Sequence, residues 1–309
     1  MSGRKKICVL ISVALIGLTF GCASTGNKAR NLSFRIYQLS TRLFDLETRG
    51  EDTGSLADDI EKCRSLFQNK KYSEAEKCMD ALIAIVNTRY QVAFPGVYVY
   101  EGVQFEDVFV ETTMGRKVGF FSYPEKPGKY PGIIFLRGAG TSSIDLKRTI
   151  HSYAKKNYFC LAPEFNQDFL KGVVDLNAWY DIFSSHRFLD SQRTAVVSFS
   201  RGSYFAYKLI TQDVPFNAWV NLSGVVYKTM ADRDALKRNP VPLLVVHGKD
   251  DKTCPVEWAY NLENIYREAG IPIQMELFDN EGHIFSRKAG EESSKIVDAF
   301  LRKHLQPQE

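Results

Sequence analysis

Between residues 32 and 90, apolar residues recur at alternating spacings of four and three. Leu32, Ile36, Leu39, Leu43 and Leu46 form one stripe, and Leu56, Ile60, Cys63 and Phe67 a second. Ala75, Cys78 or Met79, Leu82, and Ile85 or Val86 form a third. A period near 3.6 puts each set on one helix face, so three amphipathic helices are expected, separated by residues 50–55 and 68–71. From Pro95 the texture changes. Residues 105–113 and 117–123 read as an antiparallel strand pair joined through Met114, Gly115 and Arg116. A continuous apolar run follows at 132–136, and further strand-like segments at 158–162, 218–222, 241–246 and 273–278. Helix-compatible stretches at 144–156, 173–189, 202–212, 256–269 and 289–304 lie between and after them. Buried strands alternating with helices predict a mostly parallel α/β sheet with helices on both faces. The expected organisation is a leader at 1–21, a polar tether at 22–31, a small helical region at 32–92 and an α/β domain at 93–309.

The leader changes the charge and the expected location. Arg4, Lys5 and Lys6 precede an apolar run from Ile7 to Phe20, followed by Gly21 and Cys22. The run is short for a membrane-spanning helix and reads as the hydrophobic segment of a secretory signal. Leu18-Thr19-Phe20-Gly21-Cys22 resembles the cleavage site of a bacterial lipoprotein, with bulky Phe20 where a smaller residue is usual. The resemblance implies lipidation of Cys22 and a membrane-anchored protein of the bacterial cell envelope, facing the periplasm or the exterior. Removing three of the 40 Lys and Arg residues, against 36 Asp and Glu, lowers the net charge from +4 to about +1. No basic stretch is interleaved with aromatics, so nucleic-acid binding has no support.

The chemistry concentrates in three places. Ala195-Val196-Val197-Ser198-Phe199-Ser200-Arg201-Gly202 runs from an apolar strand through a turn into a helix-compatible segment. Small residues two before and two after Ser200 allow the sharp strand-to-helix turn that exposes a nucleophile. Later come His247-Gly248-Lys249-Asp250-Asp251-Lys252-Thr253-Cys254-Pro255 and Gly282-His283-Ile284-Phe285, each just past an apolar strand. The order serine, acid, histidine is that of an α/β-hydrolase. His-Gly-x-x-Asp-x-x-Cys-Pro resembles the acid loop of the dienelactone hydrolase and prolyl oligopeptidase branches, where Val usually stands at the place of Cys254. Gly-His-x-Phe resembles their histidine loop.

That resemblance covers roughly residues 95–309. It implies the α/β-hydrolase fold, preceded here by the small helical region. It also implies Ser200 as nucleophile, His283 as base and Asp251 as the acid that orients the base, with Asp250 as the competing carboxylate. The oxyanion donors would be the N–H of Arg201 and the backbone of Arg137-Gly138, where the family often has His at the place of Arg137. The Arg137 and Arg201 side chains either hold an anionic substrate group or pair with acids such as Glu164 and Asp168. The cysteines and histidines show no metal-ligand spacing, and neither a metal nor a cofactor is expected. Cys254 reads as a packing residue. Cys63 and Cys78 fall on facing stripes around a turn at Lys70 and Lys71, so they are either bridged or two small core residues.

The expected function is that of an exported serine hydrolase acting on an ester, another acyl compound or a short peptide. The alternatives are a peptidase of the prolyl oligopeptidase type and a non-catalytic binding protein on a hydrolase frame. Departures from the usual motif at Ser198 and Arg137 keep the last one open.

Overall fold

The computed structural model describes residues 27–89 and 96–305. The leader, Cys22 and residues 23–26 of the tether lie outside the described residues; residues 27–31, expected as tether, already belong to the first helix. Among the described residues, no helix is long and apolar enough to cross a membrane.

The three predicted stripes form helices α1 (Asn27–Thr48), α2 (Leu56–Gln68) and α3 (Tyr72–Arg89). Leu32, Ile36, Leu39 and Leu43 pack with Leu56, Ile60, Ala75, Met79, Leu82 and Val86 in one small core. Cys63 and Cys78 are bridged across the α2–α3 hairpin, with their Cα atoms 5.6 Å apart.

Nine strands form a single sheet: β1 (Val97–Tyr100), β2 (Val103–Thr112), β3 (Gly115–Pro124), β4 (Tyr130–Leu136), β5 (Phe159–Pro163), β6 (Leu189–Phe199), β7 (Ala218–Leu222), β8 (Leu243–Gly248) and β9 (Ile273–Phe278). Their order is β1-β2-β3-β5-β4-β6-β7-β8-β9. The pairings from β5 through β9 are parallel, and β1, β2 and β3 extend one edge in antiparallel register. β1 was not expected, because four residues carry little periodicity and both Val97 and Val99 remain exposed.

Successive strand residues point to opposite faces. Ile134, Leu136 and Val196 meet α5 (Phe169–Ser185), α6 (Gly202–Thr211) and α8 (Glu257–Ala269) through Trp179, Phe205 and Leu262. Ile133, Phe135, Ala195 and Val197 meet α4 (Lys147–Ala154) and α9 (Arg287–Leu305) through Ile150, Tyr153, Phe300 and Leu301.

Two helix starts differ from expectation. α5 begins at Phe169 rather than 173, because the Asp168 carboxylate caps the N–H groups of Leu170 and Lys171, each at 3.1 Å. Residues Ser143–Leu146 form a 3-10 turn ahead of α4, and the Asp145 carboxylate takes the Ser142 N–H at 2.8 Å. Between β7 and β8 lies a short insert with another 3-10 turn and α7 (Arg233–Arg238).

The helical region is docked on the α/β domain through buried charge. Asp45 on α1 binds Lys147 at the start of α4. Arg49 reaches Asp45 at 2.9 Å and Asp107 on β2 at 2.6 Å. Tyr98 donates to Asp107 at 3.0 Å, and Lys147 donates to Tyr98. Both carboxylates and the ammonium are fully buried. Burial pushes the Lys147 ammonium well below its ordinary value. About two turns earlier on α1, the Tyr37 hydroxyl donates to the Asp145 carbonyl at 2.6 Å.

Candidate active site

The run Ala195–Ser198 forms the buried end of the central strand β6, and the chain then turns into α6. Ser200 sits at the turn with φ +51°, a left-handed conformation that costs a non-glycine residue energy. The turn holds it there: the Ser200 N–H donates to the Leu222 carbonyl at 3.0 Å, and its own carbonyl accepts from Ser203 and Val225. A Cβ on Gly202 would lie 2.4 Å from the Leu136 carbonyl oxygen, which explains the small residue at that place.

Ser198 takes the place where glycine is usual, and it has work there. Its hydroxyl accepts the Trp219 indole N–H at 2.8 Å and lies 3.1 Å from the Val220 carbonyl and 3.0 Å from Ser203 Oγ. Ser203 donates onward to Asn221 at 3.1 Å.

The two later loops close on the serine. Ser200 Oγ is 3.0 Å from His283 Nε2, and His283 Nδ1 is 2.7 Å from Asp251 Oδ2. The other carboxylate oxygen of Asp251 accepts the N–H groups of Thr253 and Cys254, each at 2.8 Å. Burial alone would raise the Asp251 pKa; hydrogen bonds from His247, His283 and the Cys254 N–H outweigh it and hold the carboxyl far below its ordinary range. Asp250 is exposed, with its N–H donating to Glu281 at 2.9 Å. The structure thus brings together Ser200, Asp251 and His283 and leaves Asp250 in solvent.

Two residues join the site that the sequence did not place there. His247 is fully buried, and its Nε2–H donates to the Cys254 carbonyl at 2.7 Å. The same nitrogen lies 3.4 Å from Asp251 Oδ2, so the ring braces the acid loop from below. The signal available was the four-residue spacing from His247 to Asp251. Cys254 Sγ lies 3.9 Å from Ser200 Oγ, and burial pushes its thiol up to about 11. Cys254 is therefore a wall of the site as well as a packed side chain.

The loop after β4 lies against the nucleophile. A Cβ on Gly138 would fall 3.2 Å from Ser200 Cβ and 2.9 Å from the Phe199 ring, so only glycine lets this backbone approach. The Arg137 side chain points away from the cleft. It pairs with Glu164, donates to the Thr141 and Phe165 carbonyls, and lies over the Phe165 ring at 4.9 Å. Thr141 Oγ1 in turn donates to the Gly138 carbonyl at 3.0 Å. Arg137 therefore shapes the loop and is not available to a substrate anion. Arg201 caps the start of α6 and makes no ion pair among the described residues; its guanidinium reaches the Gln167 carbonyl at 3.5 Å and lies over the Phe169 ring at 5.6 Å.

A strained serine, a histidine in hydrogen-bond reach and a buried acid behind it form the Ser-His-Asp relay, in which the acid fixes the base's tautomer. The comparisons agree with this geometry. Residues 226–308, which carry the acid and the histidine, match the model of the prolyl oligopeptidase family. A dienelactone hydrolase-like promiscuous phosphotriesterase from metagenomic libraries superposes with a TM-score of 0.59 at 18% identity, over 66% of this chain and 99% of that one.

The chain has the α/β-hydrolase fold and carries a Ser-His-Asp relay.

An acylaminoacyl peptidase of Pyrococcus horikoshii is similar to it with a TM-score of 0.57 and 16% identity, over 73% of this chain and 44% of the peptidase. A puromycin-hydrolyzing peptidase of Mycobacterium tuberculosis gives 0.58 and 16%, over 68% and 41%. The chain thus spans well under half of these peptidases. No curated protein sequence matches it.

Proposed function

We propose that the chain hydrolyses a carboxylic ester or a related acyl bond through an acyl-enzyme on Ser200, as an exported protein anchored by a lipid on Cys22. The observation that carries the chemistry is the continuous relay from Ser200 Oγ through His283 to Asp251, at 3.0 and 2.7 Å. His283 takes the Ser200 proton as Oγ attacks the carbonyl carbon, then returns it to the leaving group. Water repeats the sequence to release the acid. Asp251 stays ionised throughout and stabilises the imidazolium. The N–H of Arg201 and the backbone at Gly138 are the donors for the developing oxyanion. A preformed hole would contribute about 3–4 kcal/mol of transition-state stabilisation.

A second reading, a peptidase, is favoured by the family match over 226–308. Against it stands the N-terminal region, three helices where the prolyl oligopeptidase family carries a large gating propeller. The non-catalytic reading loses its two supports, because Ser198 and Arg137 each have a structural role that leaves the relay intact.

Labelling with a fluorophosphonate probe tests the reading. Wild type should label at Ser200, and Ser200→Ala should not. An unlabelled, folded wild type would overturn it. Comparing p-nitrophenyl esters with peptidyl anilides separates ester from peptide cleavage. Fractionation of cells expressing wild type and Cys22→Ala tests the anchor; equal membrane retention of both would remove it.

A further inference from the structure

The geometry points to a second use of the catalytic centre: Cys254 and His283, with Ser200 beside them, form an inhibitory site for a thiophilic divalent cation, Zn²⁺ above all. The proposal rests on the reading of Ser200 and His283 as the reacting pair, and it adds a ligand that shuts that pair off.

The donor set is the first argument. A thiol, an imidazole and a carboxylate, from Cys254, His283 and Asp251, place one ligand atom each within 4.8 Å of the others. Thiolate and imidazole are the preferred zinc ligands. The second argument is the orientation of the imidazole. Zinc-bound histidines commonly give their other ring N–H to a carboxylate, which fixes the tautomer and raises the ligand's basicity. His283 already does this, because Nδ1 is 2.7 Å from Asp251 and Nε2 faces the cleft. Asp251 therefore acts behind the ligand, held by the N–H groups of Thr253 and Cys254.

The third argument is size. With bonds of about 2.3 Å to sulfur and about 2.0–2.1 Å to nitrogen or oxygen, a tetrahedral zinc ion needs its N and O ligands about 3.3 Å apart and its S and O ligands about 3.5 Å apart. Ser200 Oγ lies 3.0 Å from His283 Nε2 and 3.9 Å from Cys254 Sγ. Both edges that meet at Ser200 Oγ are within about 0.4 Å of the requirement. Water completes the shell from the cleft, where the His283 side chain is 16% exposed.

On binding, the Cys254 S–H bond breaks, its proton goes to solvent, and the sulfur electron pair forms the bond to the metal. No oxidation state changes. His283 Nε2 donates its lone pair to the cation and can no longer accept the Ser200 proton, so acyl transfer stops. The cation and the substrate then exclude each other.

The full-length protein is titrated with Zn²⁺ alone. Inhibition of ester hydrolysis should compete with substrate and reverse with a chelator. Cys254→Val keeps the backbone donor to Asp251 and carries the residue usual in similar acid loops. Its inhibition constant, read against its own uninhibited rate, should rise by about tenfold or more. Equal zinc sensitivity in wild type and Cys254→Val would overturn the proposal. A second measurement does not need turnover: Co²⁺ added to the wild-type protein without substrate should give a thiolate-to-cobalt charge-transfer band that Cys254→Val lacks. A missing band in wild type overturns the site, while its presence supports the site even if no ester is cleaved.

Discussion

The indole N–H of Trp219 on β7 donates to the hydroxyl of Ser198 on β6 at 2.8 Å. This bond explains why a strand end that usually carries glycine carries serine here. Both side chains are fully buried, so neither can turn to water. Glycine would leave the indole N–H without an acceptor. Ser198→Gly should cost about 1–3 kcal/mol of stability, the penalty of an unpaired buried donor. The relay atoms are untouched, so kcat/KM should stay within several-fold. Urea denaturation with steady-state kinetics checks both expectations.

The two adjacent carboxylates of the acid loop should separate sharply. Asp251→Asn removes the acceptor that fixes the His283 tautomer and should lower kcat on the order of 10⁴-fold. Asp250→Asn alters an exposed side chain and should change kcat less than about threefold. Kinetics on both variants decide the assignment, and the reverse ranking would move the acid role to Asp250.

The same carboxylate shapes the response to acid. The Asp251 pKa is depressed in the folded state, so folding binds fewer protons at this group than unfolding does. Its contribution is fully present above the unfolded value near 4 and is lost as pH falls toward the lower folded value. Between pH 5 and 8 it should contribute a constant amount. Asp251→Asn should therefore flatten the fall in stability below about pH 4 relative to wild type, as read by denaturant midpoints across the acid range.

The buried charge cluster should respond asymmetrically. Asp45→Ala leaves the Lys147 ammonium buried beside only Asp107 at 3.9 Å, and should cost about 3–5 kcal/mol. Replacing the pair together, Asp45→Leu with Lys147→Met, should cost clearly less than the sum of the single changes. A double-mutant cycle on denaturation midpoints measures the coupling; additive values would show that the two groups do not depend on each other.

Much of this site is written in the chain, because its chemistry demands particular residues at particular places. Ser200, Asp251 and His283 each follow an apolar strand, and a parallel sheet delivers the ends of such strands to one edge. The three helical stripes and the position of Cys63 opposite Cys78 were legible for the same reason, since period and turn position fix which side chains face each other. Other features depend on contacts between distant segments. Asp45, Arg49, Asp107 and Lys147 are separate charged residues in a sequence, and only the packing of α1 on β2 and α4 makes them one cluster. Cys254 reads as a packing residue until the fold brings its sulfur beside Ser200. The strand β1 was missed because backbone pairing with β2, rather than a buried face, holds it.

Helix α1 has two working sides. Leu32, Ile36, Leu39 and Leu43 belong to the helical core, whereas Phe44 belongs to the core of the α/β domain, beside Asp45. A boundary drawn near residue 93 therefore cuts through shared material. A fragment trimmed there to isolate a minimal catalyst would keep every residue of the relay. It would also uncover the ring surface that Phe44 shields, strand the Lys147 ammonium without Asp45 and remove the Tyr37 hydroxyl from the turn that follows the Gly138 loop. The smallest soluble, active piece of this enzyme should begin ahead of α1, and shortening from the front should fail abruptly rather than by degrees.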